Sequence, residues 1–401
     1  MNHKIRIEMV STGDEVLYGQ ITDTNAAWLS DFLFQEGFLI TSRYTVGDDL
    51  TQLITTLQSR SKVNDIIIFN GGLGPTSDDL TAQAAAIANQ EELVLHQEWV
   101  DEMERYFSTR GKTMPPANMK QAMLPKSAYI VDNPVGTACG FKMVINGCVI
   151  FFTPGVPSEF RAMMRNQILP AIKSQFPQDV QPICYRLTTM GRSESDLATE
   201  IDAKLSVPAD ISVGYRSAMP IIELKLTGNT HNQTAMDELW QQLKVLVNDN
   251  TLYEGVTSLV KVVSELLAEQ SQPLIIIEQQ TAGLMTYQLL GADAPLIKSE
   301  IITGQINMQQ YIQQLRQMHN NAIFLSLYDF ECDNSHFKLI LATPANTYIY
   351  QLKYTSRKHN KLTEQAIFSA IGYDALRRYL TNNPILVGPN IWLEVVDKQS
   401  D

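Results

Sequence analysis

Cysteine is scarce in this 401-residue sequence. Its four cysteines, Cys139, Cys148, Cys184 and Cys332, form no Cys-x-x-Cys pair. That argues against a disulfide framework and reads as reduced, mostly buried thiols of a cytoplasmic protein. The six histidines (His3, His96, His231, His319, His336 and His359) show no zinc-ligand spacing. Positive charge is short as well. The 31 Lys and Arg against 43 Asp and Glu give a net charge of −12, which argues against bulk nucleic acid or anionic membrane as the main partner. Phosphorylated metabolites stay open, because they bind at local glycine turns and metal ions. Long apolar runs are missing: "CVIFF" is far too short to span a bilayer, and "MNHKIRIEMVSTGDE" has no apolar signal-peptide core. Neither an internal repeat nor a low-complexity tract is present.

The chain is too long for one ordinary core, so two or three domains are expected. The first 170 residues alternate strand and helix patterns. "KIRIEMVS" reads as a strand with Ile5, Ile7 and Met9 on one side. Trp28, Leu29, Phe32 and Leu33 fall at helical spacing, and Gly37 can end that helix. "FLITSRYTV" is a second strand, Leu50 to Leu57 a second helix, and "DIIIFN" a strand of the kind buried on both faces of a parallel sheet. An alanine-rich third helix follows. "CGFKMVINGCVIFF" reads as a hairpin turning at Asn146-Gly147, and a helix then ends near Phe176. This alternation predicts a doubly wound α/β sheet. "PQDVQP" (177–182) reads as a linker. A small α+β domain over Ile183–Tyr253 follows, and from about Gly255 an α/β-type domain opens on an amphipathic helix.

Three strand-to-helix turns carry the chemistry. "STGDE" places Asp14 and Glu15 at the carboxyl edge of a sheet, where open α/β sheets bind ligands. "NGGLGPTSDD" follows the buried strand. Its Gly71, Gly72 and Gly74 let backbone N–H groups approach a phosphate, and Thr76 and Ser77 add hydroxyls. Asp78 and Asp79, taken singly, read as helix caps. Beside a phosphate cradle the pair suits a phosphate-bridging Mg²⁺, which takes carboxylate and substrate oxygens. "FFTPGVPSEF" is stiffened by Pro154 and Pro157, opened by Gly155, and ends on Glu159, for which a ligand role and a plain connection weigh equally. In "DNPVGTACGF", Asn133, Gly136 and Thr137 are candidates for the same cleft. In the middle region Ser193-x-x-Asp196 reads as a helix cap beside Arg192, and Arg216 as a surface or interface arginine.

Near residue 275, "PLIIIEQQTAGLMTYQLLG" is another strand-to-helix turn. Its helix is expected to bury Leu284, Tyr287 and Leu290 on one face. Such turns often hold a nucleophile, but this one offers Gln279 and Gln280, neither of which is nucleophilic. The Thr281 hydroxyl reads as a helix cap.

The blocks "STGDEVLYGQITDTNAAWL", "NGGLGPTSDDLT", "NPVGTACGF" and "FTPGVPSEF", in that order, closely resemble the CinA family (competence/damage-inducible protein A), and within it the CinA-like subgroup. The resemblance implies three domains. They are a molybdopterin-binding-like domain over 1–176, a KH-type α+β domain over 177–253 and a degenerate amidase-like α/β domain over 254–401. It implies metal-dependent hydrolysis of ADP-ribose to AMP and ribose 5-phosphate, with Mg²⁺, Co²⁺ or Mn²⁺ as the divalent ion and K⁺ as the monovalent one, in a homodimer. By that resemblance Asp78, Asp79 and Glu15 are catalytic. Asp14, Glu15, Asp78, Asp79 and Glu159 hold the metal. Gly71, Gly72, Gly74, Thr76, Ser77, Asn25, Asn133, Gly136, Thr137, Pro154 and Gly155 bind substrate. Which carboxylate is the base stays open. The middle domain lacks the GxxG loop that clamps RNA, so RNA binding does not carry over. The family's third domain hydrolyses nicotinamide mononucleotide at a Glu-Ser-Cys-Thr-Gly-Gly turn. Here Gln279 stands at the serine position, and "YDFECDNSHFK" replaces a glycine-rich phosphate loop. A binding or regulatory protein without turnover is the alternative reading, and a molybdopterin-handling protein a third.

Overall fold

The computed structural model describes residues 5–177, 180–331, 334–387 and 390–400. Part of the 177–182 linker, Cys332 and His3 lie outside the described residues. The chain forms two compact units, Met1–Pro182 and Ile183–Asp401.

In the first unit the elements run β1 (Ile7–Thr12), α1 (Asp14–Leu17), α2 (Thr24–Gln35), β2 (Ile40–Val46), α3 (Leu50–Arg60), β3 (Ile66–Asn70), α4 (Thr81–Ala88), β4 (Leu93–Leu95) and α5 (Gln97–Ser108). They continue with β5 (Met123–Pro125), β6 (Tyr129–Val131), β7 (Gly140–Ile145), β8 (Cys148–Thr153), α6 (Pro157–Met163) and α7 (Leu169–Gln175). The main sheet has the order β2-β1-β3-β8-β7-β6. Strands β2, β1, β3 and β8 are parallel, and β7 and β6 close one side antiparallel. Parallel strands covered by helices on both faces must be apolar on both. β1, β3 and β8 are indeed buried at every position. One face packs Val10, Phe69 and Phe152 against Leu53, Leu57 and Trp99. The other packs Met9, Ile68 and Phe151 against Leu29, Leu33 and Phe160. Glu8 is an exception to the apolar rule. Fully buried in β1, its carboxylate accepts from Arg60 Nε at 2.7 Å and from Ser42 Oγ. The Asn146-Gly147 turn joins β7 to β8 with positive φ at both residues, as a type I′ hairpin requires.

The second unit holds β9 (Pro182–Met190), α8 (Glu194–Lys204), β10 (Ser212–Ala218), β11 (Ile221–Asn229), α9 (Gln233–Val247) and β12 (Thr251–Glu254). These strands form a sheet of order β10-β11-β9-β12, packed on α8 and α9 through Leu197, Ile201, Trp240 and Leu243. Ser193 caps α8, accepting from the Asp196 amide at 3.2 Å, and Arg192 pairs with Asp196 and Glu200. Arg216 is mostly exposed and pairs with Glu223.

Next come α10 (Leu259–Glu269), β13 (Leu274–Glu278), α11 (Leu284–Gly291), β14 (Leu296–Ile301), α12 (Met308–Met318), β15 (Ile323–Tyr328), β16 (His336–Ala342), β17 (Thr347–Tyr354), α13 (Lys361–Leu380) and β18 (Leu393–Ser400). Their sheet has the order β14-β13-β15-β16-β17-β18, parallel from β14 to β15 and antiparallel beyond. Buried Arg378 on α13 ties that helix to the turn after α9, bonding Asp374 at 2.9 Å and the Asp249 carbonyl. On α11 the expected face is corrected. Met285 and Leu289 are buried, whereas Tyr287 is 78% and Leu290 59% exposed. The helix is apolar nearly all round, so its period admits more than one buried face.

Candidate functional site

Because β1, β3 and β8 are parallel, their carboxyl ends share one sheet edge. The chain leaves β1 toward β2 on one side and β3 on the other, which makes a crevice at that edge. A cleft of about 420 Å³ opens there. Ten residues expected at the site line it: Glu15, Gly71, Gly72, Gly74, Asp78, Asp79, Thr137, Pro154, Gly155 and Glu159. Thr12, Asp48 and Gln121 line it too and were not singled out from the sequence.

The glycine turn is shaped by what crowds it. Gly71 has φ +115°, and a Cβ there would meet Thr12 Oγ1 at 2.5 Å. Thr12 is 6% exposed, and its Oγ1 has no hydrogen-bond partner among the described residues. A buried hydroxyl without a partner is costly and calls for one. The turn after Gly74 is closed by Asp79, whose Oδ2 accepts from the Thr76 amide at 2.9 Å and from the Thr76 hydroxyl. Lys120 Nζ donates to the Thr76 carbonyl. The helix-cap reading of Asp78 and Asp79 is therefore corrected. α4 begins at Thr81, its N-cap is Leu80, and neither aspartate caps it. Thr76 and Ser77 belong to this turn without lining the cleft. Asp78 is exposed, and the Thr76 side chain, its own backbone and Lys120 hold its carboxyl below the ordinary range.

Asn25, Asn70 and Asn133 hold the rim in place. Asn25 Nδ2 donates to Asn70 Oδ1 at 3.0 Å and to the Gly155 carbonyl at 2.8 Å. Asn70 Nδ2 donates to Thr153 Oγ1 at 3.1 Å and to the Pro154 carbonyl at 2.7 Å. Asn133 Nδ2 donates to the Ala138 carbonyl at 2.8 Å and to Glu159 Oε2 at 2.7 Å. Gly136 lets Glu159 come this close: a Cβ on it would lie 2.4 Å from that carboxylate. Asn25, Asn133 and Gly136 thus stand behind the cleft wall. Burial raises the Glu159 carboxyl above the ordinary glutamate value, against the lowering effect of Asn133.

At the mouth, Asp14 turns from the cleft toward Asp48 and accepts from the Asp48 amide. Burial pushes the Asp48 carboxyl up, the Asp14 amide pulls it down, and the charges of Asp14, Glu15 and Asp78 push it up further. Among the described residues no three His, Cys, Asp or Glu side chains group closely enough to hold a metal ion. The donors at this corner are carboxylate oxygens, the chemistry a hard divalent cation takes.

The turn after β13 is filled by the protein itself. Glu278 is 1% exposed, and its carboxylate accepts from the amides of Gly283 at 3.0 Å, Met285 at 3.1 Å and Thr286 at 2.9 Å. The N-cap of α11 is Gly283, so the cap role expected of Thr281 is corrected: Glu278 caps the helix instead. Gln279 accepts from the Asp329 amide at 2.9 Å and donates to the Gly304 carbonyl at 3.2 Å. Gln280 donates to Asn334 at 2.9 Å.

Residues 8–174 match the family model described as a probable molybdopterin binding domain. A "CinA-like protein" of Shigella flexneri is 46% identical over 400 residues, covering 99% of both chains. The "NMN amidohydrolase-like protein YfaY" of Escherichia coli (strain K12) is 45% identical over 400 residues, again over 99% of both. The crystal structure of CinA from Thermoplasma acidophilum is 30% identical, covers 44% of this chain and 99% of that one, and superposes with a TM-score of 0.38.

Proposed function

The chain belongs to the family of CinA-like proteins, and on that premise we propose that its first unit binds a phosphorylated, nucleotide-like ligand in the cleft at the ends of β1, β3 and β8. The observation that carries this reading is the buried Thr12 hydroxyl, left without a partner beside the Gly71–Gly74 turn. A phosphate oxygen would supply the missing acceptor, and the turn would offer it backbone N–H groups.

The finer reading makes the ligand ADP-ribose, hydrolysed at its pyrophosphate to AMP and ribose 5-phosphate. The carboxylates around the cleft favour it, since they repel a bare phosphate and would need a cation between. Mg²⁺, Co²⁺ or Mn²⁺ would be held mainly by the ligand's phosphate oxygens, with a single carboxylate from among Glu15, Asp48 and Asp78 added, and K⁺ would be a further counter-ion. Such an ion supplies a polarised phosphoryl oxygen and a more acidic bound water. Gln121 and the Asp79-closed turn would orient the phosphates, and Glu159, whose carboxyl burial raises above the ordinary glutamate value, would face them.

Titration calorimetry with ADP-ribose, with and without Mg²⁺, together with chromatography for AMP, tests both readings. Heat without AMP supports binding alone, and AMP release supports hydrolysis. Neither heat nor product would overturn both.

The second unit is proposed to comprise a KH-type module, built on the β10-β11-β9-β12 sheet, and an amidase-like module without nicotinamide mononucleotide hydrolysis. With Gln279 in place of a hydroxyl residue, an incoming carboxamide finds no nucleophile at that position. The protein is proposed to be a cytoplasmic homodimer. Among the described residues no helix is long and apolar enough to cross a membrane.

A further inference from the structure

Strand β14 is an edge of its sheet, hydrogen-bonded to β13 alone among the described strands. An edge strand offers a row of unpaired backbone groups to any other strand. Its sequence from Ile297 to Ile301 is Ile-Lys-Ser-Glu-Ile. Read outward from Ser299, each side meets one charge and then one isoleucine, and the charges have opposite sign. Lys298 Nζ already reaches Glu300 Oε1 along the strand at 2.7 Å. Ile297 and Ile301 are 50% and 56% exposed, and the register against β13 steps between Leu296 and Lys298, leaving Ile297 without a partner there.

We propose that β14 pairs antiparallel with β14 of a second copy of this chain, about a two-fold axis at Ser299. An interface of this kind is isologous, so each contact occurs twice. Lys298 then faces the partner's Glu300, and Ile297 faces the partner's Ile301. Edge charges ordinarily keep foreign strands away. Here their symmetric placement makes this chain's own copy the one strand that answers both.

A second observation points the same way. α11 packs against β14, and a Cβ on Gly283 would lie 3.1 Å from Ile301 Cδ1. The outer face of α11 carries Tyr287 and Leu290, whose helical spacing predicts burial and which are 78% and 59% exposed. Joining two β14 edges extends apolar cover beside the helix that bears them. The proposal rests on the homodimer reading and assigns its interface.

The test is sedimentation equilibrium on the full chain at micromolar concentration. Wild type should be a dimer. Lys298→Glu puts two acids on each strand and Glu300→Lys two bases, so each alone should raise the dimer dissociation constant about tenfold or more. An equimolar mixture of the two, one carrying an affinity tag, should recover a heterodimer on the tag resin. The intrachain pair is broken in both variants, so only pairing between chains can produce that recovery. Tyr287→Arg, at an exposed position that leaves the fold intact, should also weaken the dimer. A monomeric wild type would overturn both the dimer and this interface, and would leave the edge to some other partner. A dimeric wild type with unaffected variants would overturn the interface alone.

Discussion

Asp14 and Asp48, 34 residues apart, exchange hydrogen bonds: the Asp14 amide donates to Asp48 Oδ2 at 3.1 Å and the Asp48 amide to Asp14 Oδ1 at 3.2 Å. The exchange ties the turn after β1 to the turn after β2 and brings two like charges together.

That proximity has a pH signature. The folded state raises the Asp48 carboxyl, so it holds the proton more tightly than the unfolded chain does. The ionised carboxylate therefore destabilises the fold at neutral pH, and the penalty disappears as pH falls through the folded pKa into the ordinary aspartate range. Asp48→Asn keeps an oxygen for the Asp14 amide and removes the charge. It should raise the neutral melting temperature by about 1 °C, with the gap to wild type closing in acid, while metal-dependent ADP-ribose affinity falls. Thermal melts across pH, paired with calorimetry, check it. A variant that binds normally removes Asp48 from the site.

Asp78 and Asp79 should separate by phenotype. Asp79 closes the turn on Thr76, whereas Asp78 is exposed. Asp79→Ala is expected to cost about 1–2 kcal/mol of stability and to weaken ligand binding. Asp78→Ala should lower the melting temperature less than Asp79→Ala does and act mainly on metal-supported binding or turnover. Equal loss of stability in the two would contradict this division.

Arg60 neutralises Glu8, which is fully buried in the central strand β1. Arg60→Met strands that carboxylate and should destabilise the first unit by about 3–5 kcal/mol. Glu8→Gln should be milder. Urea denaturation of both variants gives the comparison, and a harmless Arg60→Met would refute the stabilising role of the pair.

Gln279 bridges the loops at Gly304 and Asp329. Gln279→Ser should release no ammonia from nicotinamide mononucleotide, and neither should wild type, because substrate positioning carries much of such a rate. The variant should lose about 1 kcal/mol of stability with the two bonds. Turnover by wild type would refute the loss of activity. Turnover only in the variant would mean that the pocket survives around a missing nucleophile.

The sequence made the first unit's sheet legible because β3 and β8 are apolar runs, the run into β1 alternates Ile5, Ile7 and Met9 onto one side, and all three strands end in turns of glycine, proline and acid. Asp48 escaped notice. "VGDD" reads simply as a helix start, and Asp49 does cap α3, accepting from the Gln52 amide at 2.8 Å. The signal lay in its place one turn after β2, on the edge already marked by Glu15. The asparagines behind the wall were credited with ligand contact. Hydrogen bonds to residues as distant as Gly155 are not readable from local pattern. β12 is four residues long, too short for alternation to declare itself. On α11 the apolar residues circle the helix, and packing alone chose Met285 and Leu289.

The insertion of β8 between β3 and β7 gives the cleft an order of birth. Asn70 meets Thr153 across 83 residues of chain, an interval the ribosome covers in roughly 4–17 s at about 5–20 residues per second. Throughout that time β3 has been made, its apolar flank has no neighbour on that side, and the glycine turn has no opposite wall. A chain arrested before Cys148 would carry two of the three turns and bind nothing, while exposing a strand suited to aggregation. The stretch of synthesis between Asn70 and Thr153 is therefore an interval in which the unfinished sheet would be open to aggregation.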